Sequence, residues 1–419
     1  MKLLFLGNPT VGHTNYLIEL AYYYYEKGHQ VHFALPGIAH KGIVSALNNP
    51  ALNIYKKLED KKISYSLIPI SLSQGIRGML LDKKRGLNEV LYALKVFVSG
   101  FNKYMRFLIK LCNGFKPDLI IYDYTFFPAI AISEKLLIKR VAVYHSGLPF
   151  LEYPIPPIGT DLKYGDYTYD IFNKYYNLVD REEKKIRVKI KKHTGSHNLS
   201  LIKEPNSNFL NIINAVSAAE YPRKKLPSNV HFVGPSPYKK QVINLNAKKR
   251  HHIYVSLGTV FSKNASLFER IIKSIDTSET VIVAAGKAYA GLINKSWNEN
   301  VKIFEYVKQV DVLAEAKLFI SHGGKNSISE SIASKTPMIL FPAGGEQEYN
   351  ANLAEWLGIG LNFSKKAEKF TYNDMKAAID KLCGNKEVEE RLEMINNEEK
   401  GNEYDSCVYE VINNYMNAD

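Results

Sequence analysis

The stretch FISHGGKNSISESIASKTPM, residues 319–338, sets a histidine and two glycines between an apolar run and a helical pattern. Lys317-Leu318-Phe319-Ile320 reads as the end of a buried strand. Ser327 and Glu330 fit an S-x-x-E capping box, which predicts a helix starting there. A strand, a glycine turn and a helix N-terminus together make an anion site. Free backbone N–H groups and the positive end of the helix dipole both favour a phosphate.

Other chemistries find no residues to carry them. The opening GNPTVGH is glycine-poor, and without G-x-G-x-x-G a dinucleotide oxidoreductase is not expected. There is no D-x-D. His251-His252 and the scattered acids of 161–170 fit no metal-ligand geometry, so no metal site is expected. Cys112, Cys383 and Cys407 show no paired spacing, which argues against a disulfide framework and against zinc. No nucleic-acid motif is present.

The elements that must position the anion site repeat along the chain. Its 419 residues, 46% hydrophobic, fit two domains of roughly 200 residues better than one core. No apolar run approaches the ~18 residues of a membrane span. MKLLFLGNPT is too short for a signal-peptide core and reads as a first strand, so a cytoplasmic protein is expected. Lys2–Leu6 predicts a strand, Asn8–Asn15 a turn-rich loop, and Tyr16–Lys27 a helix ending at Gly28. Gln30–Leu35, Leu119–Tyr122 and Val141–Tyr144 read as further strands of a parallel βαβ series. Residues 151–210 are rich in Tyr, Pro, Lys and Asn and read as loops and helices around a site. Within them DREEKKIRVKIKKH (180–193) reads as a solvated helix face, with a basic amphipathic membrane element as the alternative. Residues 236–252 have linker character. A second series follows, with strands at Ile253–Leu257, Val281–Ala285, Ile303–Tyr306, Leu318–Ile320 and Met338–Phe341. Two doubly wound units joined by a linker place a cleft between them, faced by the carboxyl ends of the strands.

The net charge of +13 is uneven. Residues 1–250 hold 37 Lys+Arg against 18 Asp+Glu, and residues 251–419 hold 18 against 24. A basic first half suggests an anionic small molecule or a membrane surface as partner, with simple solubility as the competing reading.

Residues 253–360 carry a longer ordered string. It runs Val255-Ser256-Leu257-Gly258-Thr259, Tyr306-Val307-Lys308-Gln309, His322-Gly323-Gly324-Lys325-Asn326-Ser327, Glu330, Thr336-Pro337-Met338, Pro342, Glu346-Gln347, Asn350-Ala351 and Gly358-Ile359-Gly360. This string resembles the donor domain of the UDP-glycosyltransferase superfamily, the inverting GT-B enzymes of glycosyltransferase family 1. The resemblance implies a GT-B fold: two Rossmann-like, doubly wound α/β domains facing across a cleft. It implies an acceptor domain over 1–235, a linker over 236–252, a donor domain over 253–399, and a helix near 400–419 packing back on the first domain. Val408, Val411, Ile412 and Tyr415 lie at helical spacing for that role.

The resemblance also implies site roles. Gly258 and Thr259 form the first turn of the donor domain. Val307 and Gln309 meet the uracil. His322, Gly324, Asn326 and Ser327 hold the diphosphate. Glu330 binds the ribose, helix capping being its alternative. Glu346 and Gln347 bind hexose hydroxyls. The chain departs from the family at Glu346, where Asp is usual, at Lys308 for Pro, at Tyr306 for Trp, and at Lys335-Thr336 for Gly-Val. In the first half, Gly12-His13-Thr14 matches the position of the family's general base. A hydroxyl acceptor needs one, since its own pKa is far above 7. The helix N-terminus beside His13 disfavours imidazolium, so a neutral ring is expected. Of the two carboxylates in KPDLIIYDYTF, Asp118 precedes the strand as a turn residue. Asp123 follows it and matches the family's partner aspartate.

The expected activity is therefore inverting hexosyl transfer, with no cofactor beyond a UDP-sugar co-substrate, UDP-glucose first. The acceptor would be an apolar, aromatic or lipid molecule, and anionic-membrane contact is compatible with the basic half. A catalytically silent UDP-sugar-binding protein, a nucleotide-sugar epimerase and a GlcNAc transferase of the same fold are the alternatives.

Overall fold

The computed structural model describes residues 1–8, 11–37, 51–70, 100–145, 150–195, 209–215, 217–224, 226–234, 250–258, 264–364, 369–401 and 404–418, with Tyr92, Lys95 and Leu148. Thr259 and most of the 236–252 span therefore lie outside the described residues.

The first sheet has seven strands: β1 (Lys2–Leu6), β2 (Gln30–Gly37), β3 (Ser64–Pro69), β4 (Leu119–Asp123), β5 (Lys139–Tyr144), β6 (Leu210–Ile213) and β7 (Val230–Phe232). Their spatial order is β3-β2-β1-β4-β5-β6-β7, and every pairing is parallel. The second sheet has six: β8 (His252–Ser256), β9 (Thr280–Ala284), β10 (Val301–Phe304), β11 (Ala316–Ser321), β12 (Met338–Leu340) and β13 (Gly360–Asn362). Their order is β10-β9-β8-β11-β12-β13, again all parallel. Strand β8 begins at His252, inside the span expected to be linker, because His252 pairs with Thr280 and Ala316.

The central strands are apolar because helices cover both faces. Leu3–Leu6 and Leu119–Ile121 are buried, as are Ile253–Val255 and Leu318–Ile320. In each sheet the strand order reverses once beside the first strand, between β1 and β4 and between β8 and β11. Loops leaving the carboxyl ends of those strands diverge and open a crevice. His13 and Asp123 come from the first such point, and Gly258 and His322 from the second.

The first helix spans Val11–Glu26 rather than Tyr16–Lys27. His13 therefore sits in its first turn, not in a loop before it. The Thr14 hydroxyl donates to the Asn8 carbonyl at 2.6 Å, fastening that turn to the strand end. The basic run 180–193 belongs to one helix, Tyr169–Thr194, capped by Thr168. Val179, Ile186 and Ile190 bury one face of it in the first core, and Glu182 and Glu183 are buried as well, while Arg181, Lys184, Lys185, Lys189, Lys191 and Lys192 stay exposed. The C-terminal helix, Tyr404–Asn417, packs Val408 and Ile412 into the core beneath the first sheet, beside Val411 and Tyr415. Lys139 Nζ donates to the carbonyls of Tyr415, Met416 and Ala418 at its end, which suits a cation at a helix C-terminus.

Candidate active site

The site is built from two strand ends facing each other. From the first sheet, His13 Nδ1 lies 2.8 Å from Asp123 Oδ2. Asp123 is fully buried at the end of β4 and is held by a local turn. Its Oδ1 accepts from the Thr125 amide at 2.8 Å and the Thr125 hydroxyl at 2.5 Å. Asn8 Nδ2 in turn donates to Thr125 Oγ1 at 2.7 Å. With an ionised carboxylate as acceptor, His13 Nδ1 carries the hydrogen and Nε2 is left to work. Asp118 lies at the other end of the strand, where it accepts from the Lys2 amide at 2.7 Å. The structure thus brings Asp123, and not Asp118, to His13.

Burial pushes the Asp123 carboxyl up, but the His13 ring beside it, then His145 and the Thr125 hydroxyl, bring it down to about 2. It is a fixed anion. For His13, burial alone lowers the value. The Asp123 charge and hydrogen bond, then those of Glu346, outweigh burial and hold His13 well above the ordinary histidine range. The expectation of a ring kept neutral by the helix dipole is corrected here, because two carboxylates outweigh one helix end.

The second carboxylate comes from across the cleft. Glu346 Oε2 lies 3.6 Å from His13 Nε2. Glu346 is the first residue of the helix Glu346–Trp356, behind Gly345. Gln347 does not reach toward His13. Its Oε1 accepts from the Ala343 amide at 3.0 Å and braces the loop.

The helix after β11 spans Lys325–Ala333, so it starts two residues before Ser327. The capping box does not form. Gly324, in an extended conformation, occupies the cap position, and no side chain caps the helix. Asn326 and Ser327 are thus in its first turn, with the end open for an anion. His322 is seated between two glycines. A Cβ on Gly258 would meet His322 Cε1 at 2.4 Å, and one on Gly324 would meet its Nε2 at 2.7 Å. Gly258 has φ +61°, which also favours glycine. Asn350 Nδ2 donates to the Gly323 carbonyl at 3.0 Å and ties that turn down. Burial lowers His322 to about 4 despite Glu346, so the ring is held neutral.

Glu330 lies in the middle of this helix. Its Oε2 accepts from Gln309 Nε2 at 2.6 Å, and the same amide reaches Ser327 Oγ at 3.3 Å. Tyr254 donates to Gln309 Oε1 at 3.3 Å. Burial raises the Glu330 carboxyl, partly offset by Gln309. The structure places Gln309 against Glu330, with Val307 half-buried against the second core.

Asn8, Thr125 and His145 escaped the sequence reading. Each follows β1, β4 or β5 within a few residues, so the carboxyl-end rule applied to every strand would have found them. The pair Lys325–Glu220 also escaped. Its atoms are 2.7 Å apart and both side chains are buried. Among the described residues, no group of three or more His, Cys, Asp or Glu is gathered to hold a metal ion.

The comparisons agree with this geometry. The family described as UDP-glucoronosyl and UDP-glucosyl transferase matches residues 175–409. The NDP-glycosyltransferase YjiC of Bacillus subtilis (strain 168) is 26% identical over 400 residues, which covers 92% of this chain and 89% of that protein. A solved structure of the glycotransferase of kitacinnamycin superposes with TM-score 0.74 at 15% identity, covering 99% of this chain and 98% of that one. The spinosyn rhamnosyltransferase SpnG in complex with thymidine diphosphate superposes with TM-score 0.69 at 12% identity, covering 99% and 100%. The chain has the GT-B fold and belongs to the UDP-glucoronosyl and UDP-glucosyl transferase family, the glycosyltransferases that draw on a nucleotide-sugar donor.

Proposed function

We propose that this enzyme transfers glucose from UDP-glucose to a hydroxyl of an apolar, aromatic or lipid acceptor, with inversion at the anomeric carbon. The observation that carries the reading is the His13–Asp123 pair at 2.8 Å with Glu346 facing it across the cleft. His13 Nε2 removes the acceptor proton while Asp123 holds the ring and balances the imidazolium. The acceptor oxygen bonds to the anomeric carbon as the bond from that carbon to the diphosphate breaks. UDP leaves toward His322 and the N-terminus of the Lys325–Ala333 helix, which takes its charge without a bound metal. Attack from the face opposite the leaving group gives inversion. Gly258, Thr259, Asn326 and Ser327 serve the diphosphate in this reading, Glu330 the ribose, and Val307 and Gln309 the base. Gln347 serves the hexose with Glu346.

Glu346 has two duties here. It binds hexose hydroxyls, and in the donor-free protein it faces the nitrogen that must accept the proton. A bound sugar would draw its carboxylate away and leave Nε2 to the acceptor. Kitacinnamycin and spinosyn are named for the two solved neighbours, which supports a natural-product acceptor. The tyrosine- and phenylalanine-rich first half suits such a molecule. Among the described residues no helix is long and apolar enough to cross a membrane. We propose a cytoplasmic enzyme whose basic half meets an anionic membrane when the acceptor is a lipid. The intact dyad supports chemistry over silent binding.

The test is thermal stabilisation by UDP, UDP-glucose, UDP-GlcNAc and TDP-glucose, run on the parent, His13→Ala and Glu330→Ala. A UDP-glucose shift that survives in His13→Ala and fades in Glu330→Ala is expected. No shift with any nucleotide in a folded protein would sink the reading.

A further inference from the structure

His145 is the first residue after β5, and its side chain is 2% exposed. Among the described residues neither ring nitrogen has a hydrogen-bond partner, which is rare for a buried polar group and calls for a reason. Its Nε2 lies 3.8 Å from Asp123 Oδ2, the same oxygen that faces His13. Its ring centre is 5.4 Å from that of His13 and 5.9 Å from that of Tyr16. The titratable groups around it are His13 and Tyr16 of the first helix, Asp123 at the end of β4, and Glu346 from across the cleft.

We propose that His145 is a positioning residue of the catalytic pair: it presents an N–H to Asp123 Oδ2 and limits how tightly that carboxylate holds the proton on His13.

The geometry restricts the alternatives. A bridging water needs roughly 5 Å between its two partners, more than this gap allows. A lone pair on Nε2 aimed at a carboxylate oxygen would be repelled, so Nε2 bears the hydrogen. A movement of about 1 Å closes the gap into a charge-assisted hydrogen bond. Burial, with the nearby His13, lowers His145 to about 4 even against Asp123 and Glu346, so the ring stays neutral and holds one hydrogen. The consequence falls on His13. Asp123 and Glu346 both stabilise imidazolium, whereas a general base must shed that proton each cycle. Thr125 occupies Oδ1 of Asp123, and only a donor on Oδ2 competes directly with His13.

This inference rests on His13 being the base. The test is imidazole 15N NMR of the full-length, donor-free protein. His145 is expected as the neutral Nε2–H tautomer across the histidine range, and the Nδ1–H tautomer would overturn the proposal. In His145→Phe the protonation constant of His13 is expected to rise about threefold or more. In His145→Gln, which restores an N–H at similar reach, it returns toward the parent. The acid limb of kcat/KM should move with it. An unchanged His13 in a folded His145→Phe variant means packing alone and overturns the proposal. Should that variant not fold, the tautomer decides. Transfer at the parent rate by His13→Ala would instead defeat the reading of His13 as base and leave the tautomer measurement standing by itself.

Discussion

Nε2 of His13 faces the Glu346 carboxylate, and with His13 as the proposed base this sets the pH dependence. A base of that kind acts only when unprotonated. Its value is raised, so kcat/KM falls as pH drops through a point above the ordinary histidine value of about 6.5. Glu346→Gln removes one of the two raising carboxylates. Its acid limb should therefore move to lower pH, while the KM for the donor rises. A limb that stays in place in that variant would disconnect Glu346 from the base. His13→Ala should lose transfer by about 100-fold or more and keep its nucleotide shift, as read by steady-state kinetics beside thermal shift. The family resemblance pointed to His13 and Asp123, and the structure brings these two together. Residue types and order did not carry the sign of the His13 shift, which Asp123 drives first and Glu346, more than 300 positions away, adds to.

At the level of elements, the interior strands could be read because burial on both faces makes them continuous apolar runs. Strands β3, β7 and β13 could not. They are half-exposed edges or three-residue segments without such a run. The interior β6 was lost because it has four residues, one of them Asn211. The helix Val11–Glu26 starts before the expected Tyr16, and the helix Lys325–Ala333 starts before the expected Ser327 because Gly324 at its start offers no side-chain cap to mark the boundary. At Gly324 the uncapped helix end is what the proposed diphosphate site requires. The turn after β8 is equally constrained. Gly258→Ala puts a Cβ into the His322 ring on a backbone at φ +61°. It should cost about 1–3 kcal/mol in denaturant unfolding and weaken UDP binding. Gly324→Ala has an ordinary φ and should mainly displace the His322 ring, so binding falls with a smaller loss of stability. UDP shifts equal to the parent in both variants would show that the seating of His322 has no part in donor binding.

Across the whole molecule, the two halves hold each other through segments that cross over. Ala219, just after β6, is buried in the second core, and Val408 and Ile412 of the last helix are buried in the first. Between the halves, Ile155, Tyr221, Tyr349 and Leu353 form their own apolar cluster, clamping the helix whose first residue is Glu346. Beside the cluster lies the buried ion pair Lys325–Glu220, with Tyr349 Oη 3.5 Å from the other Glu220 oxygen. No sequence pattern links residues 105 positions apart, and the pair was legible only once both sheets were in place. Lys325 is the first residue of the helix proposed to hold the diphosphate, so on that reading the pair sets where the helix end stands relative to His13. Breaking one partner strands a buried charge. Lys325→Met or Glu220→Leu alone should therefore cost about 3–5 kcal/mol, while the double variant, which removes both charges, should recover most of it. Denaturant unfolding of the three variants reads this directly. Two single variants within about 1 kcal/mol of the parent would show that water reaches the pair and that it clamps nothing. If the double variant regains stability but not transfer, the pair is there to set the helix against the base, since its two charges are then not needed for folding.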